Sequence, residues 1–210
     1  MLETMKFRIP PLSCRRPRGD RGFTLWEVMV VVVIIGLVVA IGYPMMRRTL
    51  VRARVLNQAN TLKQAVAVAR ANALQHGQGV TLRLLDDNTR QEGGVATAWV
   101  DGNGNGVLDS PSEVAIGRWP MRSKTVLKPD PANVLFKLQG GARGVLFLGN
   151  GTAISNRSGS AGIGQGAVIV SDYFDNDVRL LIMAGTGSVV QEMWDPDNSR
   201  WSKELRFWRY

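Results

Sequence analysis

Hydrophobic and polar positions divide the chain into three stretches of different rhythm. Residues 28–41 read VMVVVVIIGLVVAI, without one charged or strongly polar side chain. Extended to Phe23 and Met46, the run reaches the ~20 residues that cross a bilayer as a helix. After Pro44 the pattern turns one-sided. Val55, Ala59, Leu62, Val66, Ala69 and Ala73 recur at alternating steps of four and three, which is one stripe of an α-helix. Asn57, Asn60, Lys63 and Arg70 lie off it. The spacing predicts a helix from Thr24 to Gln75, about 78 Å long at ~1.5 Å per residue. Gly77, just after His76, is the expected C-cap. Gly36, Gly42 and Pro44 are the places where such a helix bends or opens. The stripe is too short and its side chains too small to favour a coiled coil between two copies. It is expected to pack on the protein's own sheet. His76 reads as a polar residue at the helix end and is assigned no chemistry.

From Val80 onward short apolar runs alternate with turn residues. The expected strands are Val80–Leu85, Ala96–Val100, Val114–Arg118, Val134–Leu138, Val145–Leu148, Ala167–Ser171, Arg179–Met183 and Ser188–Met193. Their spacing suits antiparallel sheets. The fold class is therefore α+β, a long N-terminal hydrophobic helix packed on a C-terminal β body.

Charge changes this picture at the N-terminus. The chain of 210 residues carries 26 Lys and Arg against 17 Asp and Glu, a formal charge of +9. Residues 1–22 hold Lys6, Arg8, Arg15, Arg16, Arg18 and Arg21 against Glu3 and Asp20, a net of +4. Without them the remainder is only mildly basic, at +5. Cys14, the one cysteine, lies in the same segment. A Cys/His zinc site and an intrachain disulfide are excluded, because the chain has one Cys and one His. The leader contains Pro10, Pro11 and Pro17, and Met5 is an alternative start.

Glu27 is the odd residue of the apolar run. A carboxylate at mid-membrane costs roughly 2.5–3.5 kcal/mol and calls for a partner. Residues alone leave three readings open. One is a plain anchor with a Glu at its edge. Another is a secretory signal cleaved after Ala40-Ile41-Gly42, which frees a soluble domain starting at Tyr43. The third takes in the whole string Arg21-Gly22-Phe23-Thr24-Leu25-Trp26-Glu27. That string resembles the processing site of type IV prepilins and pseudopilins.

The resemblance implies cleavage between Gly22 and Phe23, and N-methylation of the new N-terminal Phe23. Glu27 becomes the fifth mature residue, matching the family's characteristic Glu, and Pro44 the twenty-second, where many pilins also have Pro. Trp26 departs from the usual aliphatic residue, though it suits a membrane interface. The resemblance also implies a filament in which apolar helices bundle. There Glu27 meets the amino terminus of a neighbouring subunit, as a buried carboxylate requires. The leader charges favour the cytoplasmic side. Arg47, Arg48, Arg52 and Arg54, just after the run, oppose that rule. The family places the body outside the inner membrane.

Within that superfamily, residues 66–82, VAVARANALQHGQGVTL, resemble the helix end and first strand of the GspH/FimT pseudopilins, with Asn72 in place of the usual acidic residue. Ala98-Trp99-Val100-Asp101-Gly102-Asn103-Gly104-Asn105-Gly106, with Asp109 and Glu113, resembles that family's segment of one Trp followed by Asp, Asn and Asn-Gly. The likeness covers roughly residues 21–118. It does not extend to the Gly/Ser stretch 156–166 or the aromatic tail. It implies four parts: a leader 1–22, a transmembrane and filament-core helix 23–46, an amphipathic helix 47–77 and a β-rich domain 78–210. It further implies a minor pseudopilin or pilin with a structural or initiating role in protein secretion. Its partners are other pseudopilins or pilins, prepilin peptidase and the inner membrane, crossed once with the C-terminal domain in the periplasm. Whether the filament is a type II secretion pseudopilus or a type IV pilus is left open, because both share this N-terminus.

Two further segments carry alternative chemistry. Asp101, Asn103, Asn105 and Asp109, with Gly106 at the sixth place, approach a calcium loop. The twelfth place is Ser112, and Glu113 misses by one. The competing reading is a hairpin connection with no cofactor, in which Asn-Gly pairs supply positive φ. In the tail, Arg200, Lys203, Arg206 and Arg209 are interleaved with Trp201, Phe207, Trp208 and Tyr210. Basic and stacking residues together are a footprint of nucleic-acid binding, and the family includes proteins implicated in DNA uptake. The competing reading is a last strand in which Leu205, Phe207 and Arg209 alternate with the others. No catalytic motif such as GxSxG, HExxH or a P-loop is present, so no enzyme is expected. Ser158 and Ser160 read as loop residues, and Asp172, Asp175 and Asp177 as a solvated turn.

Overall fold

The computed structural model describes residues 22–86, 91–109, 111, 113–121, 124–155, 164–172, 176–196 and 198–203. The chain forms two compact units, Met1–Met45 and Met46–Tyr210. One helix, α1, runs Leu25–His76 and contains Pro44 without interruption. Its start and stop follow the physics of unsatisfied backbone groups. Gly77 closes the last turn with φ of 66°, its N–H donating to the Ala73 carbonyl at 2.9 Å. Only glycine takes that backbone without strain, which is why the helix ends there.

In the first unit the apolar residues of α1 are exposed all round, and none of the apolar window is buried. Among the described residues this is the one helix long and apolar enough to cross a membrane.

The second unit is built on two six-stranded antiparallel sheets. The strands in chain order are β1 Val80–Leu85, β2 Gln91–Glu92, β3 Val95–Val100, β4 Ala115–Pro120, β5 Val126–Pro129 and β6 Phe136–Lys137. They continue with β7 Arg143–Phe147, β8 Ala153–Ile154, β9 Gln165–Ser171, β10 Val178–Met183, β11 Val189–Asp195 and β12 Arg200–Ser202. One sheet has the order β4-β3-β1-β7-β6, with β8 paired to β7, and the other β12-β11-β10-β9-β5-β2.

The stripe of α1 is the centre of the core. Val55, Ala59, Leu62, Val66, Ala69 and Ala73 are all buried. They form one cluster with Val80, Leu82, Val145 and Phe147 of the first sheet and Val168, Val170, Leu180 and Ile182 of the second. The small alanines let the helix backbone approach the strands closely, and the larger side chains of the sheets fill the space between. The expectation that the stripe packs on the protein's own sheets is met.

The strand expectations hold at β1 residue for residue and at β3, β4, β7, β9, β10 and β11 within a few residues. Others need correction. Val134–Leu138 contributes only the two residues of β6, because the chain turns at once through a 3₁₀ turn at Gln139–Gly141. β5 was not expected. Lys128 and Pro129 break its apolar pattern, yet it pairs with β9 over four residues. β2, β8 and β12 are too short to carry a period. Asp172 is buried and not solvated: its carboxylate accepts the Asn176 N–H at 3.0 Å and the Asn176 Nδ2–H at 2.6 Å. Asp177 is ion-paired to Lys128 at 3.3 Å. Asp175, Ser158, Ser160 and the leader 1–21 lie outside the described residues.

Candidate functional site

Gly22, Phe23 and Thr24 are non-helical, and the helix begins at Leu25. Thr24 is its N-cap. The Thr24 carbonyl accepts the Val28 N–H at 3.2 Å, and the Thr24 Oγ1 accepts the Glu27 N–H at 3.3 Å. Glu27 reaches back: its Oε2 accepts the Thr24 N–H at 3.0 Å and the Thr24 hydroxyl at 3.1 Å. This is a reciprocal capping box, which satisfies donors that every helix start leaves over. Its signature, Thr-x-x-Glu, is present in the sequence within the processing string. The cap role of Thr24 was not among the expected features. The bond between Gly22 and Phe23 thus lies in non-helical backbone just ahead of a closed helix start. Phe23 and Trp26 are exposed, as are the apolar side chains that follow them. Pro44 stands exposed inside the helix.

The loop 101–109 connects β3 to β4. Asp101 is buried to 1% exposure and sits at its root. Its Oδ1 accepts the Asn105 N–H at 3.1 Å. Its Oδ2 accepts the Gly106 N–H at 2.8 Å and the hydroxyl of buried Thr81 at 2.6 Å. Asn103 Oδ1 shares the Asn105 N–H at 2.9 Å, and Asn105 Nδ2 donates to Asp109 at 2.8 Å. Gly104 and Gly106 have φ of 70° and 73°, the left-handed backbone expected of Asn-Gly turns. A side chain at Gly106 would also collide with Leu138, since a Cβ there falls 2.8 Å from its Cδ2. The indole of Trp99 donates to the Val107 carbonyl at 3.1 Å and fixes the far side. The four candidate calcium ligands therefore share one loop, and the Asp101 carboxylate is held by three protein donors. Among the described residues, no three of His, Cys, Asp and Glu stand together as a metal site would require.

At the other end of the chain, Arg200 lies on edge strand β12 and Lys203 just beyond it, both exposed. Arg206 and Arg209 lie outside the described residues. Trp201 is already engaged within the protein. It meets Trp194 edge-on, with ring centroids 5.3 Å apart, and the Arg179 guanidinium stands 4.5 Å from its centroid. Arg179 also pairs with Asp130 at 3.3 Å and with Glu192, which faces it across the β10–β11 ladder. Residues so far apart in sequence are brought together by strand register, which no local pattern announces.

Comparison with known proteins gives two family matches. A model described as a prokaryotic N-terminal methylation motif matches residues 17–43. A model described as type II transport protein GspH matches residues 58–187. The first covers the capped helix start and the apolar run. The second covers the buried stripe of α1 from Ala59 to Ala73 and the strands from β1 to β10. No curated protein and no solved structure matches the chain.

Proposed function

The chain belongs to the GspH family of type II transport proteins and carries an N-terminal methylation motif; from this we propose that it is a minor pseudopilin, made as a precursor and built into a secretion filament. The family is one of structural subunits, and the work assigned here is mechanical. Prepilin peptidase cuts between Gly22 and Phe23, and Phe23 is methylated. Residues 23–46 hold the chain in the inner membrane, with the body in the periplasm, and then bundle with the helices of other subunits.

The single observation that carries this reading is the state of the first half of α1. Its start is closed by Thr24 and Glu27, and its apolar surface is left exposed among the described residues. About twenty uncovered apolar residues are tolerated in lipid or in a bundle of like helices, and not in water. Glu27 then has its role fixed by energetics. A carboxylate entering such a bundle needs a cation, and the free amine of a neighbouring subunit's Phe23 supplies one.

The test is the intact mass and N-terminal sequence of the protein from cells with and without prepilin peptidase. The expected product starts at methylated Phe23 and is lost in the peptidase mutant. A chain starting at Tyr43 in both strains would overturn the proposal in favour of a soluble secreted domain.

A second reading rests on the exposed Arg200 and Lys203 at the sheet edge: a pilus component that binds DNA through its tail. Binding by that route falls steeply as salt rises. A flat salt dependence, or unchanged binding by the Arg200→Gln/Lys203→Gln variant, excludes it.

A further inference from the structure

We propose that a groove on the body, between the second half of α1 and the turn joining β10 to β11, binds a carboxylate-bearing amphipathic helix of another protein. The groove lies wholly within the second unit, so the proposal stands apart from the membrane-anchored reading of residues 23–46.

The second half of α1 carries two stripes. One is the buried stripe that holds the two sheets. The other is Lys63, Ala67, Arg70 and Leu74, at steps of four, three and four. Ala67 and Leu74 are exposed, and Lys63 and Arg70 are partly exposed. With Val189 on the far wall, this second stripe lines a groove of about 320 Å³. Its floor between the two cations is apolar and shallow, because Ala67 and Ala71 end at Cβ. Small side chains at that place let a second helix come to within the ~8–10 Å at which helix axes pack.

The two cations are unmatched. Neither Lys63 nor Arg70 forms an ion pair among the described residues. Their own helix offers no carboxylate either, since residues 46–76 contain no Asp or Glu. Arg70 is also held in place. Its Nε–H donates to the Gly151 carbonyl at 3.3 Å. Its stem lies against Gly187, where a Cβ would fall 3.1 Å from the Arg70 Cδ and φ is 61°. The terminal nitrogens make no hydrogen bond among the described residues. A guanidinium with a fixed stem and free terminal donors is preorganised for a carboxylate, which it meets with two parallel bonds.

Charge then chooses the partner. The α1 of a second copy brings the same lysine and arginine and no acid from Val28 to Leu85, so like charges would meet. The occupant therefore comes from a different chain. Spacing chooses its form. Lys63 and Arg70 stand two helical turns apart, about 10 Å along the axis. A helix laid along α1 presents carboxylates at that interval, with apolar side chains between them for the floor and for Leu74.

The experiment uses the full mature chain in detergent micelles, with empty micelles as the blank. The probe is a fluorescein-labelled, hydrocarbon-stapled helix of about 15 residues, with two glutamates seven positions apart and leucines between them. Binding is read by fluorescence anisotropy. The wild type is expected to bind this peptide at least about tenfold more tightly than its glutamine counterpart, the effect of one hydrogen bond to a charged group. Lys63→Glu is expected to lose that preference and to favour a lysine counterpart. Ala67→Arg, which fills the floor, is expected to abolish binding. Leu74→Ala is expected to weaken it about fivefold by removing half-exposed apolar surface. Lys137→Gln, which removes the same charge from exposed β6, is expected to leave it intact. No anisotropy change at millimolar peptide, equal binding of the glutamate and glutamine peptides, or binding untouched by both Ala67→Arg and Leu74→Ala overturns the proposal. Self-association of the wild type that Ala67→Arg abolishes without peptide also overturns it, and gives the groove to a second copy.

Discussion

Thr24 and Asp101 perform the same service at two different turns: each offers oxygen to backbone N–H groups that have no strand or helix partner. At Thr24 the return is reciprocal, since Glu27 accepts from it. Thr24→Ala is expected to cost about 1 kcal/mol of helix-start stability. In detergent micelles that appears as roughly fivefold faster hydrogen exchange of the amides at residues 26–28. At Asp101 three donors converge on one buried carboxylate. Asp101→Ala is expected to destabilise the body by ~2–4 kcal/mol in calcium-free buffer, because it orphans buried donors. Chemical denaturation of the detergent-solubilised chain measures it. A loss that appeared only when millimolar calcium was present would make the loop a metal site. The Asn-Gly pairs announce this loop in the sequence, and the Thr-x-x-Glu spacing announces the cap. What no spacing gives is the partner of Asp101. Thr81 lies on β1, and the sheet alone brings it there.

The elements were legible to the degree that each carries a period of its own. The stripe of α1 is six positions long, and all six are buried. Leu62→Ala is accordingly expected to cost 2–5 kcal/mol. Leu74→Ala, on the same helix but 49% exposed, should stay within about 0.5 kcal/mol. Urea unfolding followed by tryptophan fluorescence separates the two. β2, β5, β8 and β12 carry no such period, because their order is imposed from outside, by the neighbour each one borders. The same holds for Arg179. Its carboxylates on β11 and at Asp130, and the ring of Trp201 on β12, converge only through register. Arg179→Ala leaves two largely buried acids without their cation and is expected to cost roughly 3–5 kcal/mol. Arg179→Lys, which keeps the charge but loses the fork and the stacked plane, should cost less.

At the scale of the whole molecule, one long helix, apolar in its first half, leads into two antiparallel sheets. The full mature chain is expected to resist carbonate extraction and to be released by detergent. Recovery in the carbonate supernatant would argue against a spanning helix. The family is legible because the N-terminal string and the Asn-Gly loop that follows Trp99 are local motifs. The machine is not, because no local motif marks the surfaces that would choose neighbours. The closed start of α1 has one more result. It sets the zero of a ruler. With a cut between Gly22 and Phe23, the new amine would stand two non-helical residues ahead of the helix start, and Glu27 within its first turn. That distance depends on nothing in the body. On the filament reading, subunits with quite different bodies, each starting its helix by the same four-residue rule, would offer their neighbours the same spacing. On the filament reading, exchanging the subunit that starts a stack would give it a specialised tip and leave the spacing behind it unchanged.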